Sequence, residues 1–515
     1  MTALDPALSE AVVPDDEGLG ITRAVFLRAL AFVFAVAFLV DFNQAPALIG
    51  DDGLLPVRAF LRDLAERAGG RGAGFWADPS LFWVADSSLA FQVVCAVGIA
   101  IAVAVMLGAT NAVLQLSLWV IQVSLVNVGQ LFWGYGWETL LCEAGFLAIF
   151  LCPLRTVLPS RASRPPTNVL WLLRWLLFRV MFGAGLIKIR GDTCWRDLTC
   201  LAFHYETQPN PNPISFWLAH QPLAFHHLGV LTNHVVELVV PWFLFAPRRL
   251  RHAAALIEAG FQVSLILSGN LSFLNWLTLA LCIPCFADSA LLRLLPLALR
   301  GRFENRPRAA PSEVARGVSW AVALGVGALS IAPVANMLSS HQMMNASFNR
   351  LHLVNTYGAF GVVGRTRPEL TIEGTRDLPG PNAHWVEYAF KCKPGDVLRR
   401  PCWISPYHLR LDWQMWFAAM SEVEEEPWLV HLVAKLLVND PLPLALMDGN
   451  PFPKTPPRAI RVQRYTYRFA EPGRADGAWW TRSDPEIFLQ PVTLDDPRLR
   501  GFLQEQGWGD EVPGS

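Results

Sequence analysis

The sequence carries little charge for its length. Only 17% of the 515 residues are Asp, Glu, Lys or Arg, whereas an ordinary soluble domain has roughly a quarter. The 42 Lys and Arg residues balance 43 Asp and Glu residues and leave a formal net charge of −1. No basic surface on the scale of the whole chain follows from this balance, so nucleic-acid binding is excluded as a function class. The shortage of charge also argues against a single soluble globule.

Motifs of the common enzyme classes are missing as well. The chain has no G-x-S-x-G elbow, no Walker A loop, no H-E-x-x-H pair and no dinucleotide-binding fingerprint. Four histidines, at positions 220, 226, 227 and 234, match no standard zinc spacing. Cys282-Ile-Pro-Cys285 has redox spacing but lies at the end of an apolar span, outside the strand-to-helix context that such a motif needs. We expect no metal and no cofactor.

Long apolar segments are what the chain has instead. Hydrophobic residues make up 53% of it, and the mean hydropathy is +0.32. Segments able to cross the ~30 Å hydrocarbon core recur between Ala24 and Met337 and then stop. The predicted fold is therefore an α-helical polytopic membrane bundle followed by a small α+β extramembrane domain. The bundle has about nine predicted spans, at 24–40, 89–107, 112–128, 137–152, 168–188, 228–246, 253–268, 271–287 and 316–337.

Arginines in the short connections predict the orientation, because basic loops stay on the cytoplasmic side. Clusters follow the fourth, sixth and eighth spans, at Arg155, Arg161 and Arg164, at Arg248, Arg249 and Arg251, and at Arg293, Arg300, Arg302, Arg306 and Arg308. Residues 1–22 then form a cytoplasmic tail and 23–337 the transmembrane domain. The loops 41–88 and 189–227 and the C-terminal domain 338–515 are expected on the exoplasmic side.

Cysteine placement agrees with this orientation. Cys194 and Cys200 share the 189–227 loop, and Cys392 and Cys402 share the C-terminal domain. Disulfides persist on the oxidising, exoplasmic side of a membrane. We predict one bridge within each pair. Four free thiols are the alternative, since connectivity cannot be read from a sequence.

The C-terminal domain combines strand-like and helix-like patterns. Strands are expected at 369–373, 385–390 and 459–469, and helices at about 408–420 and 427–438. The stretch from Gly395 to Met420 is rich in aromatic residues, namely Trp403, Tyr407, Trp413, Trp416 and Phe417. It forms either a small Trp-rich core or an exposed aromatic surface that holds a partly folded client.

Charged residues inside the fifth span require partners. Arg174, Arg179 and Lys188 are expected to pair with carboxylates of other spans, and the available ones are Glu138, Glu143, Glu237 and Glu258. Asn233, His234 and Glu237 are expected to form a polar seam toward the fifth span. The seam is either a structural network or, in the sharper alternative, the surroundings of a Lys188 base.

Several long runs resemble the lipase maturation factor family, and the resemblance extends from the first span to about residue 490. They are Lys188-Ile-Arg-Gly-Asp192, Cys194-Trp-Arg-Asp-Leu-Thr-Cys200, Phe203-His-Tyr-Glu-Thr-Gln-Pro209, Ser268-Gly-Asn-Leu-Ser-Phe-Leu-Asn-Trp276, Leu353-Val-Asn-Thr-Tyr-Gly-Ala-Phe-Gly361 and Ile404-Ser-Pro-Tyr-His-Leu-Arg-Leu-Asp-Trp413. The resemblance implies a multi-pass protein of the endoplasmic reticulum membrane, or of the cytoplasmic membrane in a bacterium. Such a protein is needed for secreted homodimeric lipases to fold and assemble, and its exoplasmic domain is essential.

The resemblance also implies which residues form the client or loop motifs. These are Trp195, Arg196, Asp197, His204, Tyr205, Glu206, Tyr407, His408, Asp412 and Trp413. His204, Tyr205 and Glu206 either pin the loop to the bundle or hydrogen-bond a ligand. The expected partners are a secreted lipase or another exported protein, and membrane lipid.

A shorter resemblance supports an alternative function. The segment Phe182-Gly-Ala-Gly-Leu-Ile-Lys188, with Trp195 a short way on, looks like the part of vitamin K-dependent carboxylase and its bacterial transmembrane relatives that contains the proposed catalytic Lys. It would imply a membrane enzyme with a lipid-soluble substrate, using Lys188, Asn233 and His234. The leading hypothesis is a folding and assembly factor that is not an enzyme. A transporter is disfavoured because paired broken helices are missing from the sequence pattern.

Overall fold

Apolar helices make up the N-terminal two thirds of the chain. The structure is a computed structural model that describes residues 19–154, 164–294 and 312–509. The helices of this region are α1 (Gly20–Ile49), α2 (Val57–Ala68), α3 (Arg71–Ala77), α4 (Ser88–Leu107), α5 (Ala112–Val128), α6 (Gly136–Ile149), α7 (Thr167–Arg190), α8 (Thr193–Arg196), α9 (Leu201–Thr207), α10 (Pro213–Ala219), α11 (Leu223–Leu238), α12 (Arg248–Ser268), α13 (Leu274–Cys282), α14 (Asp288–Leu294), α15 (Glu313–Leu329) and α16 (Ile331–Leu338).

Six helical stretches are long and apolar enough to cross a membrane. They are Gly20–Ile49, Ser88–Leu107, Thr167–Arg190, Leu223–Phe245, Arg248–Ser268 and Glu313–Leu338. The predicted spans at 112–128, 137–152 and 271–287 are also helical, but their helices are shorter. The chain is therefore a multi-pass membrane protein, and the count of nine crossings stays a prediction.

Contacts between distant segments define the two ends of the bundle. At one end, the backbone N–H groups of Ile21 and Thr22 donate to Asp288, and Ala112 donates to the carbonyl of Pro153. At the other end, Asp51 and Ser88 exchange hydrogen bonds between the end of α1 and the start of α4. The C-terminal domain packs on this second end, which we call the domain end. Successive spans alternate in direction between the two ends.

Described arginines near the Arg-rich connections lie at the opposite end. Arg251 of α12 donates to the carbonyl of Cys285, near the start of α14, and Arg174 of α7 donates to the neighbouring carbonyl of Pro284. Segments predicted to share the cytoplasmic side thus share one end of the molecule. Residues 1–18 of the N-terminal tail and the arginines at 155, 161, 300, 302, 306 and 308 lie outside the described residues.

The C-terminal domain is built on a four-stranded antiparallel sheet in the order β2-β1-β3-β4. Its strands are β1 (Arg367–Thr375), β2 (Val386–Glu387), β3 (Ala459–Phe469) and β4 (Trp480–Val492), and its helices are α17 (Arg410–Ala418), α18 (Pro427–Leu437), α19 (Pro441–Leu444) and α20 (Pro497–Glu505). The three predicted strand regions all contribute to the sheet: β1 pairs with β3 along the whole of β1, from Arg367–Tyr467 to Thr375–Ala459, and 385–390 contains β2.

Strand β4 was absent from the sequence-based expectations. Asp484, Pro485 and Glu486 interrupt its apolar alternation, and Asp484 adopts a positive φ of 53°. Register shifts against β3 accommodate this interruption. One apolar core runs from bundle residues such as Phe34 to Trp428 of α18 and Ile460 of β3, so the bundle and the domain are packed together.

Candidate functional site

A buried charge cluster joins the C-terminal domain to the bundle. Arg410, the first residue of α17, donates from Nη2 to Asp41 Oδ1 of α1 at 2.8 Å and to Glu138 Oε1 of α6 at 2.7 Å. All three side chains are 0% exposed. Arg410 Nη1 donates to the carbonyl of Phe132 at 2.7 Å, and the guanidinium lies 4.0 Å from the ring centre of Trp133. One cation of the domain thereby bridges two spans.

Gln44 extends this cluster through the backbone of the domain. Its Oε1 accepts from the Arg410 backbone N–H at 2.9 Å, and its Nε2 donates to the His408 carbonyl at 2.6 Å. The Tyr407 hydroxyl accepts from Asn43 at 3.2 Å. The sequence run that contains Tyr407 and His408 is therefore a docking segment, held at the end of α1.

His408 is enclosed by aromatic rings from both parts. Its ring centre lies 5.4 Å from those of Tyr135 and Trp137 and 5.3 Å from that of Trp413. Burial, reinforced by the charge of Arg410, holds the pKa of His408 well below its usual range. The neutral imidazole fits this apolar setting.

Asp412 organises the segment that leads into one disulfide. Its Oδ1 accepts from the backbone N–H groups of Cys392 at 2.6 Å and Lys393 at 2.9 Å. Burial raises the pKa of this carboxyl, although both hydrogen bonds oppose the shift. A cavity of about 260 Å³ lies beside it, lined by Asn43, Gln44, Lys391, Tyr407, Leu409, Leu411, Asp412, Ala445 and Leu446.

A second buried network ties residues 353–361 to the bundle. Glu143 of α6 pairs with Arg179 of α7, and it accepts from the Asn355 backbone N–H at 3.0 Å and the Tyr357 hydroxyl at 2.7 Å. Arg179 also donates to the Asn355 carbonyl at 2.6 Å. The chain leaving the last span is thus fixed against α6 and α7.

Lys188 and Asn233 meet as expected, in a third network. Lys188 Nζ pairs with Glu237 and donates to Asn233 Oδ1 at 3.1 Å. Asn233 in turn donates to Glu237 Oε2 at 2.8 Å. The ammonium lies 5.0 Å from the ring centre of Trp195. His234 points elsewhere, with Nε2 2.9 Å from the Trp195 carbonyl.

The 189–227 loop is held by many polar contacts. Asp192 caps α8 by accepting from the Cys194 N–H and pairs with Arg365 at 2.7 Å. The hydrogen bond from Arg365 is the main cause that lowers the pKa of Asp192 to about 2. Trp195 donates from Nε1 to the Phe360 carbonyl at 2.9 Å. Arg196 and Asp197 are exposed, and Arg196 donates to the Ile189 carbonyl.

His204, Tyr205 and Glu206 lie on helix α9, and their side chains diverge. His204 packs edge-on against Phe360 at 4.6 Å, and burial lowers its pKa to about 4. Tyr205 is buried. Glu206 accepts from the backbone N–H of Phe469 in β3 at 2.7 Å. His204 and Glu206 therefore hold the loop against Phe360 and strand β3 of the C-terminal domain, and a ligand contact at these residues stays a prediction.

Both expected disulfides are present in the structure. Cys194 and Cys200 are joined with their Cα atoms 4.7 Å apart, and Cys392 and Cys402 with theirs 5.4 Å apart. The first closes the turn that carries Trp195. The second closes the loop that Asp412 holds.

The pairing of intramembrane charges differs from the simplest expectation. Glu143 and Glu237 do meet cations of the fifth span, but Glu138 pairs with Arg410 of the C-terminal domain. Neither carboxylate oxygen of Glu258 has a hydrogen-bond partner among the described residues. The sequence reasoning missed Asp41 and Arg410. Asp41 lies one residue beyond the predicted span 24–40 and was therefore assigned to a loop, whereas the first helix continues to Ile49.

The aromatic stretch of the domain divides between core and surface. Trp413 is buried, and Trp416 donates from Nε1 to the Thr207 carbonyl at 3.0 Å. Trp403, Phe417 and Met420 are about half exposed. The stretch therefore supplies both a Trp-rich core and exposed apolar side chains.

Comparison with known proteins decides the family. Residues 21–293 match the lipase maturation factor transmembrane domain, and residues 353–489 match the lipase maturation factor C-terminal domain. The chain belongs to the lipase maturation factor family. It is 47% identical to lipase maturation factor 1 of Bos taurus over 516 residues, covering 95% of this chain and 91% of that protein.

Further relatives agree with this membership. Identity to lipase maturation factor 1 of Homo sapiens is 46% over 515 residues, covering 95% of this chain and 90% of the relative. Identity to lipase maturation factor 2 of Homo sapiens is 31% over 618 residues, covering 96% of this chain and 86% of the relative. No solved structure matches the chain. Membership assigns a maturation-factor role, and no observation on the described residues favours the carboxylase-like alternative at Lys188.

Proposed function

We propose that this protein brings a secreted lipase to its active form, acting from the endoplasmic reticulum membrane through its C-terminal domain on the exoplasmic side. The relatives are named for lipase maturation, and that client is carried over from their names. The protein is not an enzyme in this proposal. Its help comes from binding energy and from shielding the apolar surface of a client that is not yet assembled.

The domain organisation proposed here has residues 1–22 in the cytoplasm, 23–337 in the membrane and 338–515 outside it. The docked position of the C-terminal domain is the observation that carries the proposal. Arg410 of the domain pairs with Asp41 and Glu138 of the bundle, and the Arg179–Glu143 pair of the bundle holds Asn355 at the start of the domain. The bundle therefore presents the domain in one orientation beside the membrane, where a translocated client emerges.

We place the client contact on the exposed apolar side chains of the domain. Phe417 lies in the last turn of α17 and Met420 lies two residues beyond the end of that helix at Ala418, and both side chains are about half exposed. The motif residues His408, Asp412 and Trp413 hold the segment that carries this surface, and Trp195, His204 and Glu206 hold the 189–227 loop against the C-terminal domain. They act as positioning residues.

Coexpression tests the proposal. A secreted homodimeric lipase is produced in cells that lack their own maturation factors, with or without this protein, and lipase activity per unit of secreted lipase mass is measured. We expect activity to depend on this protein. The double variant Phe417→Ser, Met420→Ser should lower the specific activity several-fold while the factor stays folded, whereas Ile487→Ser, an exposed apolar position on β4, should not. Full lipase activity without this protein would contradict the proposal.

A further inference from the structure

The loop between α1 and α4 carries an apolar surface that no part of the described protein covers. Within residues 75–84, which we call the 75–84 segment, the side chains of Trp76 and Val84 are 70% and 88% exposed, and Phe75 and Leu81 are exposed as well. Exposed aromatic and aliphatic residues of this density mark an interaction site. The position of the segment along the bundle indicates its partner.

The segment is anchored below the domain end of the spans at two places, the first on α5 and the second on α4. Ser80 Oγ donates to the Ser124 carbonyl at 2.9 Å, and the Leu81 backbone N–H donates to Ser124 Oγ at 3.0 Å. Ser124 lies four residues before α5 ends at Val128, which is about 6 Å along the helix axis. The segment therefore lies beside α5 at the depth of the bilayer's hydrocarbon core or of its boundary with the lipid headgroups.

The second anchor gives the same depth on another helix. The rings of Phe82 and Phe91 stack with centres 4.0 Å apart, and Phe91 lies three residues inside α4, about 5 Å from its start. Below Val84, the exposed side chains of Leu89 and Val93 continue along α4. These belong to the outward face of a membrane span, so the 75–84 segment continues a lipid-facing surface.

Another helix of the same loop has a charged face. Helix α2 buries Val57 and Leu61 and exposes Arg62, Asp63 and Glu66. A loop with one charged face and one aromatic face has the character of an interfacial membrane element, in which Trp marks the headgroup level. We propose that the 75–84 segment inserts into the membrane leaflet at the domain end, with lipid acyl chains against Trp76, Leu81 and Val84.

Insertion has a consequence for client binding. Lipid that covers the 75–84 segment makes it inaccessible to a protein client, although the segment belongs to an extramembrane loop by sequence. The proposal does not depend on the lipase assignment, because it concerns the bilayer alone. The two ideas can therefore fail separately.

Spin labelling of the full chain in phosphatidylcholine vesicles tests the insertion. Nitroxides are attached at Trp76→Cys and Val84→Cys, with Asp63→Cys on the polar face of α2 as the matched control, and the unsubstituted protein gives the background of the native thiols. We expect collisions with oxygen to exceed collisions with a water-soluble nickel complex several-fold at 76 and 84, and the reverse at 63. Val84, with little packing to lose, carries the test if the Trp76 variant does not fold.

Two outcomes would overturn the proposal. Nickel accessibility at 76 and 84 equal to that at 63 would show that the segment faces water and is free for a protein client. Low accessibility to both reagents, together with spin–spin broadening between labels, would show that a second copy of the chain covers it.

Discussion

Replacing Arg410 by Met tests the junction between bundle and domain. The change leaves Asp41 and Glu138 facing each other without a cation, in a place where all three side chains are 0% exposed. Breaking a buried ion pair from one side costs about 3–5 kcal/mol, and the lost contact with the Phe132 carbonyl adds a further unsatisfied acceptor of about 1–3 kcal/mol. Since native stabilities are roughly 5–15 kcal/mol, the variant should be severely destabilised.

Thermal unfolding in nanodiscs provides the assay, with the release of the domain from the bundle followed by limited proteolysis. We expect Arg410→Met to lower the melting temperature and to expose the 400–420 region to protease. The triple variant Arg410→Met, Asp41→Asn, Glu138→Gln removes the buried charge altogether and should recover a large part of the loss. Wild-type stability and protease resistance in the single variant would refute the reasoning, because the cluster would then hold nothing in place.

Three further predictions follow from the other polar sites. Lys188→Met should destabilise the protein by about 3–5 kcal/mol, because it leaves the buried Glu237 carboxylate without a cation. The double variant Lys188→Met, Glu237→Gln should recover both stability and lipase activation. Recovered stability without lipase activation would instead favour a chemical role for Lys188. Removing the Cys194–Cys200 bridge with Cys194→Ser and Cys200→Ser should lower the free energy of unfolding by about 2 kcal/mol, because the short loop gains entropy in the unfolded chain. An unchanged melting temperature would show that the bridge does not stabilise the fold. Burial lowers the pKa of His204 to about 4, so the folded state favours the neutral imidazole. Stability should therefore fall as pH drops from about 6.5, the usual pKa, toward 4. His204→Gln should reduce the slope of melting temperature against pH in that window, and an unaltered slope would count against the assignment.

Local patterns predicted the helices and strands that dominate the fold. The nine apolar segments are all helical, and strand β3 begins at Ala459 and ends at Phe469, as its alternation indicates. Strand β4 was missed because its Asp484-Pro485-Glu486 interruption is tolerated only through pairing with β3 and a shifted register. Such pairing is a tertiary effect, which local propensity does not contain.

The polar networks were predicted in part. Lys188 with Glu237 and Asn233 could be anticipated because a charge in a span needs a partner on a neighbouring span. The Arg410 cluster could not, since its members lie 369 residues apart in sequence and Arg410 belongs to a segment that reads as an amphipathic helix of a separate domain. Residues that dock one part on another carry no local signature of that contact.

The proposed function rests most directly on the claim that the C-terminal domain lies on the exoplasmic side of the membrane. A cysteine introduced at Asp476, an exposed turn of the C-terminal domain, and one at Arg249, exposed at the opposite end, are probed with a membrane-impermeant maleimide in sealed microsomes. We predict that 249 reacts at once, whereas 476 reacts only after the membrane is permeabilised. Immediate reaction at 476 with protection at 249 would place the domain in the cytosol and contradict the account.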